Sequence, residues 1–100
     1  MNSENKGDFE SRNLVKKHYL KTVNPYFLAV WDNLKLFEYR KNDRNFEVND
    51  IVYLQEFDPI SQLFSGAVIT VKITYILKCF DNLNLDYCIF SFVVLEKRKK

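Results

Sequence analysis

Hydrophobic and polar residues alternate with a period of two along most of the chain, which is typical of strands with one buried face. The run "YCIFSFVVL" is nearly apolar throughout and favours a strand that is covered on both faces. Turn segments such as "KNDRN" and Asp58-Pro59 separate the runs. The pattern predicts five strands, at about residues 16–21, 36–41, 51–57, 67–77 and 87–95. The longest places these residues on one face: Ala67, Ile69, Val71, Ile73, Tyr75 and Leu77.

One segment, "TVNPYFLAVWDN", instead has the features of a helix start. Asn24 is the predicted N-cap, and Pro25 stands at the first helical position, where its missing N–H costs nothing. Apolar residues then recur at helical spacing, so one face should pack against the rest of the domain. The pattern predicts a helix over about residues 25–33, with a buried face formed by Phe27, Val30, Trp31 and Leu34.

These elements predict a mainly β fold of the α+β type. A small barrel of about five strands is economical because closure leaves no unpaired edge strand, and the early helix would flank its opening. The 100 residues are enough for one domain with its own core, which we place at residues 15–96. Residues 1–14 are polar and aperiodic, so we expect them to be disordered. Residues 97–100 form a basic C-terminal tail.

Charge and composition narrow the function classes. The formal net charge is +2, but the final KRKK contributes +4, which leaves −2 on residues 1–96. The body therefore lacks the surplus of a protein that grips long nucleic acid through a broad basic face, although the tail can add attraction to a polyanion. No apolar run is long enough for a membrane span, and the amino end has no signal-peptide segment. We expect a cytoplasmic protein.

Metal and cofactor chemistry is not indicated. Cys79 and Cys88 form no CxxC motif, and His18 is the single histidine, so the sequence predicts no zinc site and no cofactor. In a reducing compartment two such thiols are packing residues more often than reactive groups.

The stretch "NLKLFEYRKNDRNFEVND", residues 33–50, concentrates polar groups without a helical period. Strand alternation puts Phe37 and Tyr39 on one side, and Leu36, Glu38 and Arg40 on the other. Lys35 stands where the helix gives way to the strand, so its ammonium can fold back beside the acid and base. One interpretation is a solvated strand face whose ion pair contributes at most ~1 kcal/mol. The other is a ligand site.

The same stretch resembles the signature of ASCH domains, which belong to the PUA-like superfamily and carry the motif G-x-K-x-x-E-x-R. Lys35, Glu38 and Arg40 match it, and Asn33 and Asn49 stand where glycine is usual. Asparagine tolerates the left-handed conformation, so both turns should persist. The resemblance spans about residues 17–95. Within the superfamily, the chain resembles a small uncharacterised bacterial and phage branch. Further matches are His18, Leu20, Lys21, Thr22, Tyr26, Phe27, Val30, Leu54 and Glu56.

The resemblance implies a cleft between the early helix and adjoining strands that binds RNA or a nucleotide-like ligand. Lys35 and Arg40 suit phosphate or a base edge. Glu38 would either accept hydrogen bonds from a base or hold Arg40 in place. Lys21 and His18 are further candidate ligand contacts, and His18 alternatively has a structural or a catalytic role. Asn42, Asp43 and Arg44 either contact the ligand or cap the turn. Replacing Lys35 and Arg40 should then abolish binding with little loss of stability, because exposed charges contribute little.

Two other functions stay open. Some ASCH-like proteins are amidohydrolases that deacylate modified cytidine with a lysine, a threonine and a glutamate, the threonine being the nucleophile. Lys35 matches their lysine, but Glu38 stands at the threonine position, and Thr22 and Ser65 lie outside the motif. Glu38 would then have to activate water beside Lys35. The third function is a protein-interaction module from a mobile element. The sequence favours a binding protein over an enzyme and predicts no oligomeric state.

Overall fold

The computed structural model describes residues 15–78 and 86–99. Two predictions concern residues outside these ranges, namely the disorder of residues 1–14 and the packing role of Cys79. The described elements are β1 (Lys17–Thr22), α1 (Tyr26–Trp31), β2 (Phe37–Lys41), β3 (Ile51–Asp58), β4 (Leu63–Leu77) and β5 (Tyr87–Arg98). The prediction of a mainly β fold with five strands and one early helix is therefore confirmed.

The strands form a single sheet in the order β1-β3-β4-β5-β2. β1 runs parallel to β3, and the three other neighbouring pairs are antiparallel. The sheet curls into a half-barrel whose two edges are β1 and β2. Within the described residues no backbone ladder joins these edges, so the closed barrel expected from the sequence is replaced by an open one. The connection through α1 carries the chain from one edge to the other, and β3, β4 and β5 form the central meander.

Helix α1 begins one residue later and ends two residues earlier than predicted. Its N-cap is Pro25 and not Asn24, so the predicted positions of both residues are off by one, although Asn24 Oδ1 still accepts a hydrogen bond from the Leu28 N–H at 3.0 Å. Asn33 has a φ of 62°, and the left-handed turn directs the chain away from the helix axis. Leu34 is consequently 81% exposed, and its predicted burial is wrong. No helix in the described ranges has the length and apolar character that crossing a membrane requires.

The core lies on the concave side of the half-barrel, beneath α1. Alternate residues of β1, β3, β4 and β5 fill it, together with Phe46 from the loop after β2. Cys88 is fully buried there, and burial raises the pKa of its thiol, which fits the predicted packing role. The buried apolar residues are Leu20, Phe27, Val30, Phe46, Val52, Leu54, Ala67, Ile69, Val71, Ile73, Cys88, Phe90 and Phe92.

Strand β4 keeps its predicted buried face only as far as Ile73. A register shift against β5 between Ile73 and Tyr75 reverses the alternation, so Tyr75 is 65% exposed and Ile76 packs on the core instead. The prediction that Tyr75 and Leu77 share one face with the preceding alternate residues of this strand is therefore wrong.

The prediction that β5 is covered on both faces holds for only part of the strand. Cys88, Phe90 and Phe92 are buried, but Val93 and Leu95 are exposed. The strand also continues to Arg98, so it includes two residues that the sequence assigned to the tail. The Lys97 ammonium donates a hydrogen bond to the Trp31 carbonyl at 2.6 Å and thereby ties the strand end to α1.

Candidate functional site

Strand β2 directs Glu38 and Arg40 inward and its two aromatic side chains outward. The predicted alternation is present, but Glu38 is only 3% exposed, whereas Phe37 and Tyr39 are about half exposed. Glu38 lies in register beside Phe90 of β5 and faces the concave side of the half-barrel. The interpretation of this motif as a solvated strand face is therefore wrong.

The buried carboxylate is held between two cations. The Lys35 ammonium lies 2.5 Å from Glu38 Oε2, and Arg40 Nε lies 2.8 Å from Oε1, so each carboxylate oxygen has one cationic donor. The Lys35 ammonium also donates to the Phe37 carbonyl at 2.6 Å. We call Lys35, Glu38 and Arg40 the ion cluster. Its two cations and one anion leave it a formal charge of +1, carried by side chains whose positions are fixed by several bonds.

Arg40 also connects the two edges of the half-barrel. Its Nη2 donates to the Lys21 carbonyl at 3.0 Å and to the Thr22 hydroxyl at 3.2 Å, both on β1. A guanidinium has five N–H donors. Within the described residues the two on Nη1 have no partner, and the side chain keeps some contact with solvent. Arg40 therefore closes the open side of the sheet and still has donors free for a ligand.

These groups line a cleft of about 550 Å³ between β1, the start of α1 and β2. Its walls carry three aromatic side chains, Tyr26, Phe37 and Tyr39, each about half exposed. The rest of the lining comes from Lys21, Thr22, Val23 and the ion cluster. Aromatic residues and two cations thus border one space that is large enough for a small ligand.

His18 lies in a different environment from the cleft. Its Nε2 lies 2.9 Å from Asp50 Oδ2, both side chains are buried, and its ring packs against Phe46 at 4.7 Å between centroids. The same Asp50 oxygen accepts the Glu47 N–H at 2.9 Å. Of the alternatives for His18, the geometry favours the hydrogen-bonded structural residue.

The "KNDRN" turn is separate from the ion cluster as well. Asn42 Oδ1 accepts the Phe46 N–H at 3.0 Å and so closes the loop that carries this core ring. Asp43 and Arg44 form an exposed pair at 3.9 Å. Of the two roles considered for these residues, the contacts favour the turn cap for Asn42.

Sequence reasoning named Glu56 and Ser65 separately but did not predict that they meet beside the C-terminal end of β1. Glu56 accepts hydrogen bonds from Asn24 Nδ2 and from the Ser65 hydroxyl, both at 2.7 Å. These residues border a second cleft of about 640 Å³ beside the turn between β3 and β4. Glu56 and Ser65 belong to the two strands of one hairpin, and their spacing was the signal from which the contact could have been predicted. A bulge between Gln55 and Phe57 shifts the register there, so the sequence did not reveal the contact.

The hydroxyl of Thr22, the other candidate nucleophile, has no carboxylate partner among the described residues. It is buried, accepts from Arg40 and donates to the Leu20 carbonyl at 3.3 Å. In the described ranges no group of three or more histidine, cysteine, aspartate or glutamate side chains is arranged to hold a metal ion.

Comparison with known proteins adds a family and one relative. Residues 17–92 match a family described as a domain of unknown function, DUF3850. The chain is also similar to an uncharacterized 12.9 kDa protein in GpA 3'region of Escherichia phage P2, with 31% identity over 83 residues. The aligned residues make up 83% of this chain and 73% of the phage protein. The family match includes the whole ion cluster and every residue that lines its cleft.

Proposed function

The chain belongs to the DUF3850 family, and we propose that its domain is a binding module that holds RNA or a nucleotide-like ligand in the cleft beside the ion cluster. The proposal includes the likeness to ASCH domains of the PUA-like superfamily, since Lys35, Glu38 and Arg40 occupy the positions of their motif. One observation carries it: fixed cations and half-exposed aromatic rings line the same cleft.

Each part of the cleft suits a different part of a nucleotide. The two N–H groups on Arg40 Nη1 can each donate to a phosphate oxygen, and the Lys35 ammonium adds a point charge beside them. The rings of Tyr26, Phe37 and Tyr39 offer surfaces on which a base can stack, a contact worth about 1–3 kcal/mol per base. Both cations are held by Glu38, so little side-chain freedom is lost when a ligand binds.

Glu38 acts in this proposal as a positioning residue. Its two oxygens already accept hydrogen bonds from Lys35 and Arg40, and its side chain is almost inaccessible. A general base must reach the water that it activates, and both oxygens of Glu38 are already engaged in a buried position. The same geometry therefore favours binding over the alternative in which Glu38 activates water.

Isothermal titration calorimetry with nucleoside 5′-monophosphates, nucleosides and inorganic phosphate tests the proposal. We expect the monophosphates to bind more tightly than either fragment, because only they use both the rings and the cations. Arg40→Lys keeps the charge beside Glu38 but removes the free Nη1 donors, and Tyr26→Ala removes one ring. Each should weaken monophosphate binding by roughly tenfold.

Tyr75→Ala is the matched control, since Tyr75 is an exposed tyrosine that does not line the cleft. It should bind the monophosphates as the unmodified protein does. The proposal fails if no monophosphate binds, or if Arg40→Lys and Tyr26→Ala both leave the affinity unchanged.

A further inference from the structure

The convex face of the sheet carries a second arrangement of aromatic and cationic side chains, which the cleft does not include. Tyr19 on β1 and Tyr53 on β3 are direct neighbours in the parallel register. Their rings stack at 4.7 Å between centroids, with only 16° between the ring planes. Tyr19 is nevertheless 55% exposed, so a flat group can extend the stack from its uncovered ring surface.

Cations lie in the rows on either side of this tyrosine pair. On one side the register aligns Lys17 with Ile51 and then with Lys72. On the other side it aligns Lys21 with Gln55, Val68 and finally Arg98. We define the outer face as these two rows together with the tyrosine row.

Acidic residues are almost absent from the same rows. The tyrosine row continues through Thr70 to Glu96, the one acidic residue in the described rows of the outer face. Lys17, Lys21, Lys72 and Glu96 give this face a formal charge of +2, although residues 1–96 together carry −2, and Arg98 raises the charge of the face to +3. The outer face is therefore positive although the body as a whole is negative.

The outer face is continuous with the cleft through Lys21. This residue lines the cleft, and it lies on the same side of β1 as Tyr19, two positions away. Residues at that spacing on a strand are about 6.6 Å apart. A chain that leaves the cleft along β1 therefore reaches the tyrosine pair directly.

We propose that the outer face binds successive nucleotides of a single-stranded polynucleotide whose neighbouring nucleotide occupies the cleft. The inference rests on the proposed function of the cleft and extends it from a single nucleotide to a strand. Bases stack on the exposed Tyr19 ring, and the flanking lysines contact phosphates, which is the general combination by which proteins hold single strands. A duplex offers no free base surface and is not the ligand.

Fluorescence anisotropy with a labelled single-stranded RNA of roughly eight nucleotides tests this inference, with the nucleoside monophosphates as the reference for the cleft alone. Tyr19→Ala combined with Tyr53→Ala should weaken RNA binding by about tenfold or more and leave monophosphate binding unchanged. Tyr19→Phe retains the ring and should bind as the unmodified protein does. Tyr75→Ala again serves as the matched control.

Salt dependence provides a second measurement. Replacing Lys17 and Lys72 by alanine should reduce the slope of log affinity against log salt by about 0.7 for each phosphate that the variant no longer neutralises. DNA of the same sequence is tested in parallel. Binding of the RNA alone supports the inference, and so does binding of both the RNA and the DNA. The comparison shows whether the ribose hydroxyl contributes.

The inference is wrong if the RNA binds no more tightly than a monophosphate, if the tyrosine double variant keeps its affinity, or if duplex RNA competes equally well. These outcomes leave the cleft proposal standing. Conversely, tyrosine-dependent RNA binding without any monophosphate binding would reject the cleft and retain the outer face as the binding site.

Discussion

Replacing Lys35 and Arg40 together by methionine leaves the Glu38 carboxylate inside the half-barrel without a cation. In the unmodified protein each of its oxygens lies within 2.8 Å of a cationic donor, and the residue is 3% exposed. Removing the partners of a buried charge costs about 3–5 kcal/mol. That is a large part of the roughly 5–15 kcal/mol that usually stabilises a small domain. The small loss expected from the sequence assumed exposed charges, and burial of Glu38 overturns that expectation.

Urea and thermal unfolding at neutral pH measure the loss. For a domain of this size 1 kcal/mol lowers the melting temperature by about 4–8 °C, so a loss of 3 kcal/mol corresponds to roughly 12–24 °C. The slope of the urea transition should stay the same if the variant still unfolds from a compact native state.

A third substitution identifies the cause. Adding Glu38→Leu to the double variant removes the buried charge and should recover most of the lost stability, since well-packed apolar residues replace buried ion pairs at little cost. Lys17→Met and Lys72→Met together form the matched control, because both lysines are exposed, and should change stability by less than ~0.5 kcal/mol each. A loss below about 1 kcal/mol in the double variant, or a triple variant no more stable than the double, would refute the reasoning.

Three further outcomes are expected. Asp50→Ala should lower the free energy of unfolding by about 3 kcal/mol, because buried His18 and a backbone N–H lose their charged acceptor, and unfolding in urea checks this. Deleting residues 97–100 should cost about 2 kcal/mol by removing the end of β5 and its hydrogen bond to α1, whereas deleting residues 99–100 should cost almost nothing; equal melting temperatures would contradict this. Chromatography should detect no deacylation of acylated cytidine above background, and steady hydrolysis that Glu38→Gln abolishes would make the protein a hydrolase.

Local signals in the sequence predicted much of the chain path. Asparagine at two glycine positions indicated left-handed turns, and Asn33 and Asn49 have φ angles of 62° and 80°. Alternation located four of the strands, because each has one buried face, and a nearly apolar run located β5. Asn24 and Pro25 indicated the helix start, since a capping side chain and a proline act within one turn of the chain.

The orientation of β2 could not be predicted in the same way. A period of two separates Glu38 from Phe37 and Tyr39, but it does not say which side faces the core. Apolar residues normally point inward, so the general rule gives the wrong answer here. Glu38 is buried only because Lys35 and Arg40 compensate its charge, and that compensation depends on tertiary geometry.

Contacts that depend on strand pairing were equally hidden. His18 and Asp50 meet because β1 runs parallel to β3, and they are 32 positions apart in the sequence. The bulge in β4 that exposes Tyr75 also has no distinct signal, because the residues on both sides of it are apolar or β-branched. Only the register of β4 against β5 in the folded protein determines which of these side chains is buried in the core.

The open edges of the half-barrel determine the order in which the molecule assembles. β3, β4 and β5 follow one another in the chain and pair in that order. β2 pairs with β5, about 50 positions later, and β1 can pair only once β3 has been reached. Contacts between distant positions close slowly, so the central meander should fold first and the two edges should dock last. By the same energetics the edges should open first in the folded protein and exchange their amide hydrogens fastest. The cleft is built from both edges, so a ligand that bridges β1 and β2 would complete the fold as well as occupy the site.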